Sequence, residues 1–301
     1  MAAFMFPKLS SPRSASPHRQ LLANLATQVL ILEHRDMQEL YKKAWEELRL
    51  LRESCADIEP ECTPVLAFGR WETARVVTAG LNPSEDEFRD KNHKTTAGMK
   101  APLEPSRQRF LHWENGELTA NRITEAFRRS DRYFELGNAY SQWFEKYTPF
   151  LEFVGASFEE GTACHTDYVS PFATKCGISK CNPDTQRQLP LTGEEYWLDV
   201  LNCCPCVEIV FGHGRGWHQI PKLFNTSWEE LQTRFDQKGG EIWEGKAHLL
   251  FAKARLLVSG RQLAIYWWKP NRDGAPLCYL TAEEKKLLGE QIASHYARCA
   301  S

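Results

Sequence analysis

The chain reads as an α/β protein: a three-layer α/β/α arrangement around a central, mostly parallel four-stranded sheet, with an N-terminal helical extension. Three observations predict it. Short β-rich runs recur along the chain, segments of helical periodicity separate them, and hydroxyl residues followed three positions later by glutamate mark helix starts. Strands separated by capped helices pair in parallel, because parallel neighbours need a long crossover connection rather than a tight turn.

Taken in order, Met1 to Gln20 carries Pro7, Pro12 and Pro17 among serines and reads as a flexible tail. Leu21 to Arg52 places leucine and alanine at three- and four-residue spacing among charges, the pattern of an amphipathic helix. Pro60 and Pro64 end that pattern, and Ala74 to Gly80 is the first core strand. Glu85 to Pro105 is polar and turn-rich, whereas Arg122 to Val154 predicts two helices interrupted near Gly137 and Pro149. Thr162 to Val169 and Val207 to Phe211 are the second and third strands, the latter running into the glycine-rich Gly212 to Gly216; Leu256 to Val258 and Leu263 to Trp267 complete the strand candidates. Thr192 with Glu195, Ser227 with Glu230 and Thr281 with Glu284 are candidate capping boxes. The boundary implied is a tail and helical extension over 1–66 and an α/β/α domain over 67–301.

Composition narrows the class of protein. With 301 residues, 42% hydrophobic and 25% charged, the chain can bury a full core. No run approaches eighteen apolar residues and the start lacks a secretory pattern, so the expectation is a cytoplasmic protein without membrane contact and working as a monomer. Ten cysteines scattered along a chain of this length read as reduced thiols. Cys176 and Cys181 stand five apart and Cys203, Cys204 and Cys206 crowd together, but paired Cys-x-x-Cys motifs are missing, so no metal and no cofactor is expected. A formal net charge of -2 confines any nucleic-acid footprint to local basic stretches such as Lys91 to Lys100 or Arg128 to Arg132.

Ligands of open α/β sheets gather at the carboxyl ends of strands, which directs attention to four places. The first strand ends in Gly80-Leu-Asn-Pro-Ser84, where glycine admits close backbone approach, proline fixes the turn and the Asn82 amide is presented to hold a water. The second ends in His165-Thr-Asp-Tyr-Val-Ser-Pro171, the third in Phe211-Gly212, and the fourth in Ile265-Tyr-Trp-Trp-Lys-Pro-Asn271.

The Gly-x-Asn-Pro turn followed by a small residue resembles the water-positioning motif of the uracil-DNA glycosylase superfamily, in its mismatch-specific and single-strand-selective branches. The His165 to Pro171 segment is similar to their base-recognition segment, with Asp167 and Tyr168 where those branches carry an Asn-Tyr pair. The fourth loop departs from the family's His-Pro-Ser type. The resemblance spans roughly Arg75 to Asn271 and implies a monofunctional hydrolase that flips a base out of DNA and cuts its N-glycosidic bond, leaving an abasic site. It implies catalytic roles for Asn82 and His165, base recognition by Asp167, Tyr168, Phe88 and Leu81, and DNA contact through Ser84, Arg215, Trp267, Trp268, Lys269 and Asn271, with DNA as the partner.

Two side-chain chemistries refine this. An amide cannot deprotonate water at neutral pH, so Glu85, Asp86 or Glu87 is either a base for it or part of a solvated turn. An aspartate accepts hydrogen bonds where an asparagine both donates and accepts, so Asp167 favours the exocyclic amine of a cytosine derivative, including the bulky sugar-modified cytosines removed by phage-defence relatives. Asp167 as a turn cap or ion-pair partner is the plainer alternative. Uracil excision in base-excision repair and hydrolysis of free nucleosides or nucleotides are the other enzymatic readings, and a non-catalytic reader of modified DNA is the alternative of another class.

Overall fold

In the computed structural model, residues 37–136, 141–231, 247–270 and 280–300 are described. The N-terminal tail, the first part of the anticipated first helix, Gly137 and Asn271 lie outside them.

Helix α1 covers residues 37–54. Its apolar stripe of Met37, Leu40, Tyr41, Ala44, Trp45, Leu48 and Leu51 is buried in the same hydrophobic cluster as the sheet. The Trp45 ring stacks on Trp113 with centroids 4.6 Å apart. This segment is therefore packed into the core by apolar burial, not merely appended to it.

Among the described residues the sheet has six strands where four were expected. Four parallel strands form its larger part: β1 (Val76–Gly80), β4 (Ala163–Asp167), β5 (Ile209–His213) and β8 (Gln262–Pro270). Two antiparallel strands, β6 (Glu229–Leu231) and β7 (Ala247–Arg255), extend it beyond β8, giving the order β4-β1-β5-β8-β7-β6. A separate hairpin pairs β2 (Arg89–Lys94) with β3 (Lys100–Pro102).

Helices flank this sheet. They are α2 (Ala120–Asp131), α3 (Ser141–Phe144), α4 (Thr148–Phe153), α5 (Pro183–Cys203), α6 (Ile220–Phe224) and α7 (Ala282–Ala300). Phe150 and Leu151 of α4 and Ile292 of α7 meet Val76, Thr78, Ile209 and Phe211 on one face of the sheet. On the other face, Trp197 of α5 donates from Nε1 to Thr166 Oγ1 at 2.9 Å. Gly193 lets α5 lie against the chain leaving β4, since a Cβ there would fall 1.7 Å from the Val169 carbonyl oxygen.

Several expectations need correction. Leu256 to Val258 is the turn between β7 and β8, with Leu257 93% exposed. Strand β7 gives no alternating signal because Leu249, Leu250, Phe251 and Ala252 are all buried, which erases the period of two. Thr192 does not start a helix: α5 begins at Pro183, capped by Asn182, whose side chain accepts from Thr185 N at 2.9 Å, and it runs through Pro190. Ser227 and Glu230 form no capping box, because Glu230 lies in β6 and pairs with His248 across the strands. Thr281 and Glu284 do form one, with reciprocal bonds of 2.6 and 3.2 Å. The interruption near Pro149 is present, with α3 ending at Phe144 and Pro149 opening α4, so that α2, α3 and α4 cover the stretch where two helices were expected.

Candidate active site

The carboxyl ends of the neighbouring strands β1 and β4 open into a cleft of about 800 Å³, counting the part open to solvent. Asn82, Pro83, Ser84, Glu85 and Glu87 line it from the β1 turn, His165 and Asp167 from β4, and Phe68, Trp143 and Phe144 as an aromatic wall; Thr174, Cys176 and Gly177 close the remaining side.

The pleat of β4 decides which of its side chains reach this cleft. Successive side chains point to opposite faces, so His165 and Asp167 share one face while Thr166 and Tyr168 take the other. In parallel register Thr78 lies beside His165 and Gly80 beside Asp167. The His165 Nδ1 sits 2.8 Å from Thr78 Oγ1, and its Nε2 lies 3.4 Å from Asp167 Oδ1. Gly80 leaves the room these two side chains occupy: a Cβ there would sit 2.4 Å from Asp167 Oδ1 and 2.7 Å from His165 Nε2.

Asp167 is the electrostatic oddity of the site. Its side chain is 3% exposed. Nevertheless its Oδ2 has no hydrogen-bond partner, although buried polar atoms are normally satisfied. Deeper in the same region the Tyr147 hydroxyl and His213 Nδ1 are buried without partners. Burial pushes the Tyr147 hydroxyl far up, with nearby Asp167 adding to the rise. Burial, with His165 and Lys146 nearby, pushes the His213 imidazole down to about 3, so His213 is neutral at physiological pH.

Asn82 is held by its nitrogen. Nδ2 donates to Thr174 Oγ1 at 3.1 Å, to the Pro83 carbonyl at 3.1 Å and to the Phe172 carbonyl at 3.5 Å. With the donor end engaged, Oδ1 is the end of the amide left to accept a hydrogen bond from a water or ligand. Ser84 caps the following turn, its Oγ accepting from Asp86 N at 3.2 Å.

Glu87 is the one acidic residue of that turn that is buried. It accepts from the Tyr133 hydroxyl at 2.9 Å and from Arg109 Nη1 at 3.1 Å. Burial pushes its carboxyl up to about 7 against the opposing pull of Arg109 and Tyr133, so both protonation states are populated near neutrality. Glu85 and Asp86 instead pair with Lys100, Asp86 at 2.8 Å.

The structure thus brings Asn82, Ser84, His165 and Asp167 together at one cleft, and disperses the other anticipated site residues. Tyr168 is buried against Trp197 and Trp267, across the sheet from Asp167. Phe88 is fully buried near Phe110 and His112 and does not line the cleft. Leu81 is 38% exposed and stands outside the cleft lining. Trp267 and Trp268 belong to the core rather than to a DNA-facing surface, since rings with no accessible face cannot stack on a base; Trp267 Nε1 donates to the Gly214 carbonyl at 3.1 Å. Lys269 places its Nζ 3.8 Å from the Trp217 ring centroid, a cation-π contact at the end of β8. The Arg215 backbone forms part of the turn after β5, and Asn271 is outside the described residues.

Phe68, Trp143, Phe144 and Thr174 escape the sequence reading. Phe68 reaches the cleft through a two-way backbone pairing with His165, of 2.8 and 3.0 Å. Thr174 arrives through a bridge to Ser84, ninety residues away in the chain. Neither contact carries a local signature; only long-range pairing produces them. Among the described residues no three His, Cys, Asp or Glu side chains converge as a metal site, and no helix is long and apolar enough to cross a membrane.

Fold and site together define an open α/β sheet with an acidic, aromatic-walled cleft at the carboxyl ends of two adjacent parallel strands. Comparison of the chain with protein-family models, with curated proteins and with solved structures finds no match.

Proposed function

We propose that this chain is a monofunctional DNA N-glycosylase that takes a flipped, modified pyrimidine into the cleft and hydrolyses its N-glycosidic bond. The observation that carries the reading is the disposition of Asn82. Its amide is fixed by three donor contacts and keeps its acceptor for a water, at a strand end shared with the buried, unsatisfied Asp167 Oδ2. In that reaction water attacks the sugar carbon as the bond to the base breaks, and the base leaves with the bonding electron pair. Asn82 orients the water. Acceleration comes chiefly from favouring the transition state: the carboxylates at the cleft wall suit the cationic sugar, and a hydrogen-bond donor such as His165 suits the departing base.

The nature of the base follows from the wall. Asp167 offers an unsatisfied acceptor, which matches an exocyclic amine better than a carbonyl and favours a cytosine derivative over uracil. Phe68, Trp143 and Phe144 offer flat apolar surface for a ring. Among cytosine derivatives the favoured target is a sugar-modified hydroxymethylcytosine of the kind found in phage DNA. Abasic-site formation that depends on Asn82, measured on DNAs differing only in the target base, tests the reading.

A further inference from the structure

The chain as a whole is slightly acidic, at -2. Against that background the segment forming β2, the tip and the start of β3 stands out. Arg89, Lys91, Lys94 and Lys100 fall within twelve residues that contain a single acid, Asp90. Every residue from Lys91 to Met99 is exposed, and Met99, beside the turn, is 67% exposed.

This segment is a built element. Its tip is closed by Thr95 N donating to the Met99 carbonyl at 2.7 Å and Gly98 N to the Thr95 carbonyl at 2.8 Å. Its base is fixed from three sides. Arg89 donates to Glu59 Oε1 at 2.6 Å, Arg107 pairs with Asp90, and Leu103 N donates to the Phe88 carbonyl at 3.0 Å. It also adjoins the cleft, because Lys100 pairs with Glu85, a cleft-lining residue, and β2 follows Asn82 by only seven positions. Four residues of strand carry the chain about 13 Å from Asp90 to Lys94, far enough for the tip to stand clear of the body.

Resting on the glycosylase reading, we infer that the β2–β3 hairpin is the arm that grips the nucleic acid beside the cleft, its lysines on backbone phosphates and Met99 at the base stack. Positive charge on a protruding ribbon is complementary to a phosphate polymer and supplies the local footprint that the whole chain lacks. A single exposed methionine at the tip has the shape and softness of the apolar wedges that enter a base step and hold open the gap left by a flipped nucleotide. Lys100 does a different job: held by Glu85 and Asp86, it ties the arm to the cleft wall.

The test compares wild type, the double variant Lys91→Glu with Lys94→Glu, and Met99→Ala, each first checked for an unchanged melting temperature. Binding is measured at several salt concentrations to a short duplex carrying 2-aminopurine beside the target base. The charge reversal is expected to weaken binding at least tenfold and to flatten the slope of log affinity against log salt by about 2, since two phosphate contacts are lost. Met99→Ala is expected to keep the slope and to lose most of the 2-aminopurine fluorescence rise. An unchanged slope in the double variant, with wild type binding normally, overturns the arm. Met99→Ala with a full fluorescence rise removes the wedge. Arm-dependent binding without abasic sites overturns the glycosylase reading alone, and wild type that binds no DNA overturns both.

Discussion

Asn82 Nδ2 donates to Thr174 Oγ1 across 3.1 Å, joining the turn after β1 to the segment that follows β4. Thr174 is itself 2% exposed, and its hydroxyl donates onward to the Cys176 carbonyl, so the amide is anchored to a packed part of the molecule. Removing that hydroxyl takes away one of the three contacts that hold the amide and loosens its orientation. Thr174→Val is expected to slow single-turnover base release roughly tenfold to a hundredfold, because small misplacements of a positioning group cost that much, while DNA affinity stays the same. Thr174→Ser should restore most of the rate. Equal losses in both variants would show that the hydroxyl is not what matters.

Asp167 is a lining residue of the cleft, and its buried Oδ2 has no hydrogen-bond partner. Asp167→Asn replaces an acceptor by a group that can donate as well, so the preference should move from amine-bearing pyrimidines toward uracil. A ratio of kcat/KM for the two bases that shifts by about tenfold or more, with a melting temperature equal to or above wild type, is the expected result. A melting temperature several degrees lower with an unchanged ratio would assign Asp167 to the structure instead.

Gly80 has no room for a side chain. An alanine Cβ would press on Asp167 Oδ1 and His165 Nε2. Gly80→Ala should cost about 1–3 kcal/mol of stability, as overpacking does, and should lower activity by more than the stability loss accounts for. Chemical denaturation beside single-turnover kinetics separates the two effects.

Glu87 makes stability depend on pH in a definite direction. Its folded carboxyl titrates near 7 against 4.5 when unshifted, so between those values the folded state binds more protons than the unfolded one, and stability falls as pH rises. The cost is absent below about pH 4.5 and complete above about pH 7, where the shift corresponds to something on the order of 3 kcal/mol. Glu87→Gln should therefore gain relative to wild type as pH rises from 5 to 8, as read from denaturation midpoints. A difference that does not change with pH would contradict the placement of this carboxyl.

The sheet's parallel centre was legible because each of its strands is a short β-rich run ending in a glycine or a polar turn, as in Val76–Gly80 and Ala163–Asp167. The added strands were not. Residues of β7 are buried on both faces, and the Ser227 to Glu230 spacing imitates a helix cap while Glu230 serves a cross-strand pair with His248. Half of the site was legible for a similar reason. Asn82 and Asp167 sit at strand ends, where position in the chain determines position in space. Phe68, Trp143, Phe144 and Thr174 come to the cleft through contacts between distant segments, and the two adjacent tryptophans that looked like a stacking surface are buried core because β8 is covered on both sides.

The most direct measurement incubates wild type and Asn82→Ala with three DNAs, one unmodified, one containing uracil and one carrying sugar-modified hydroxymethylcytosine, and scores abasic sites. Abasic sites are expected in the modified-cytosine DNA with wild type, with a loss of about a hundredfold or more for Asn82→Ala and DNA binding largely retained by the variant. Equal numbers of abasic sites with both proteins, or none on any of the three while DNA is still bound, would contradict the glycosylase reading.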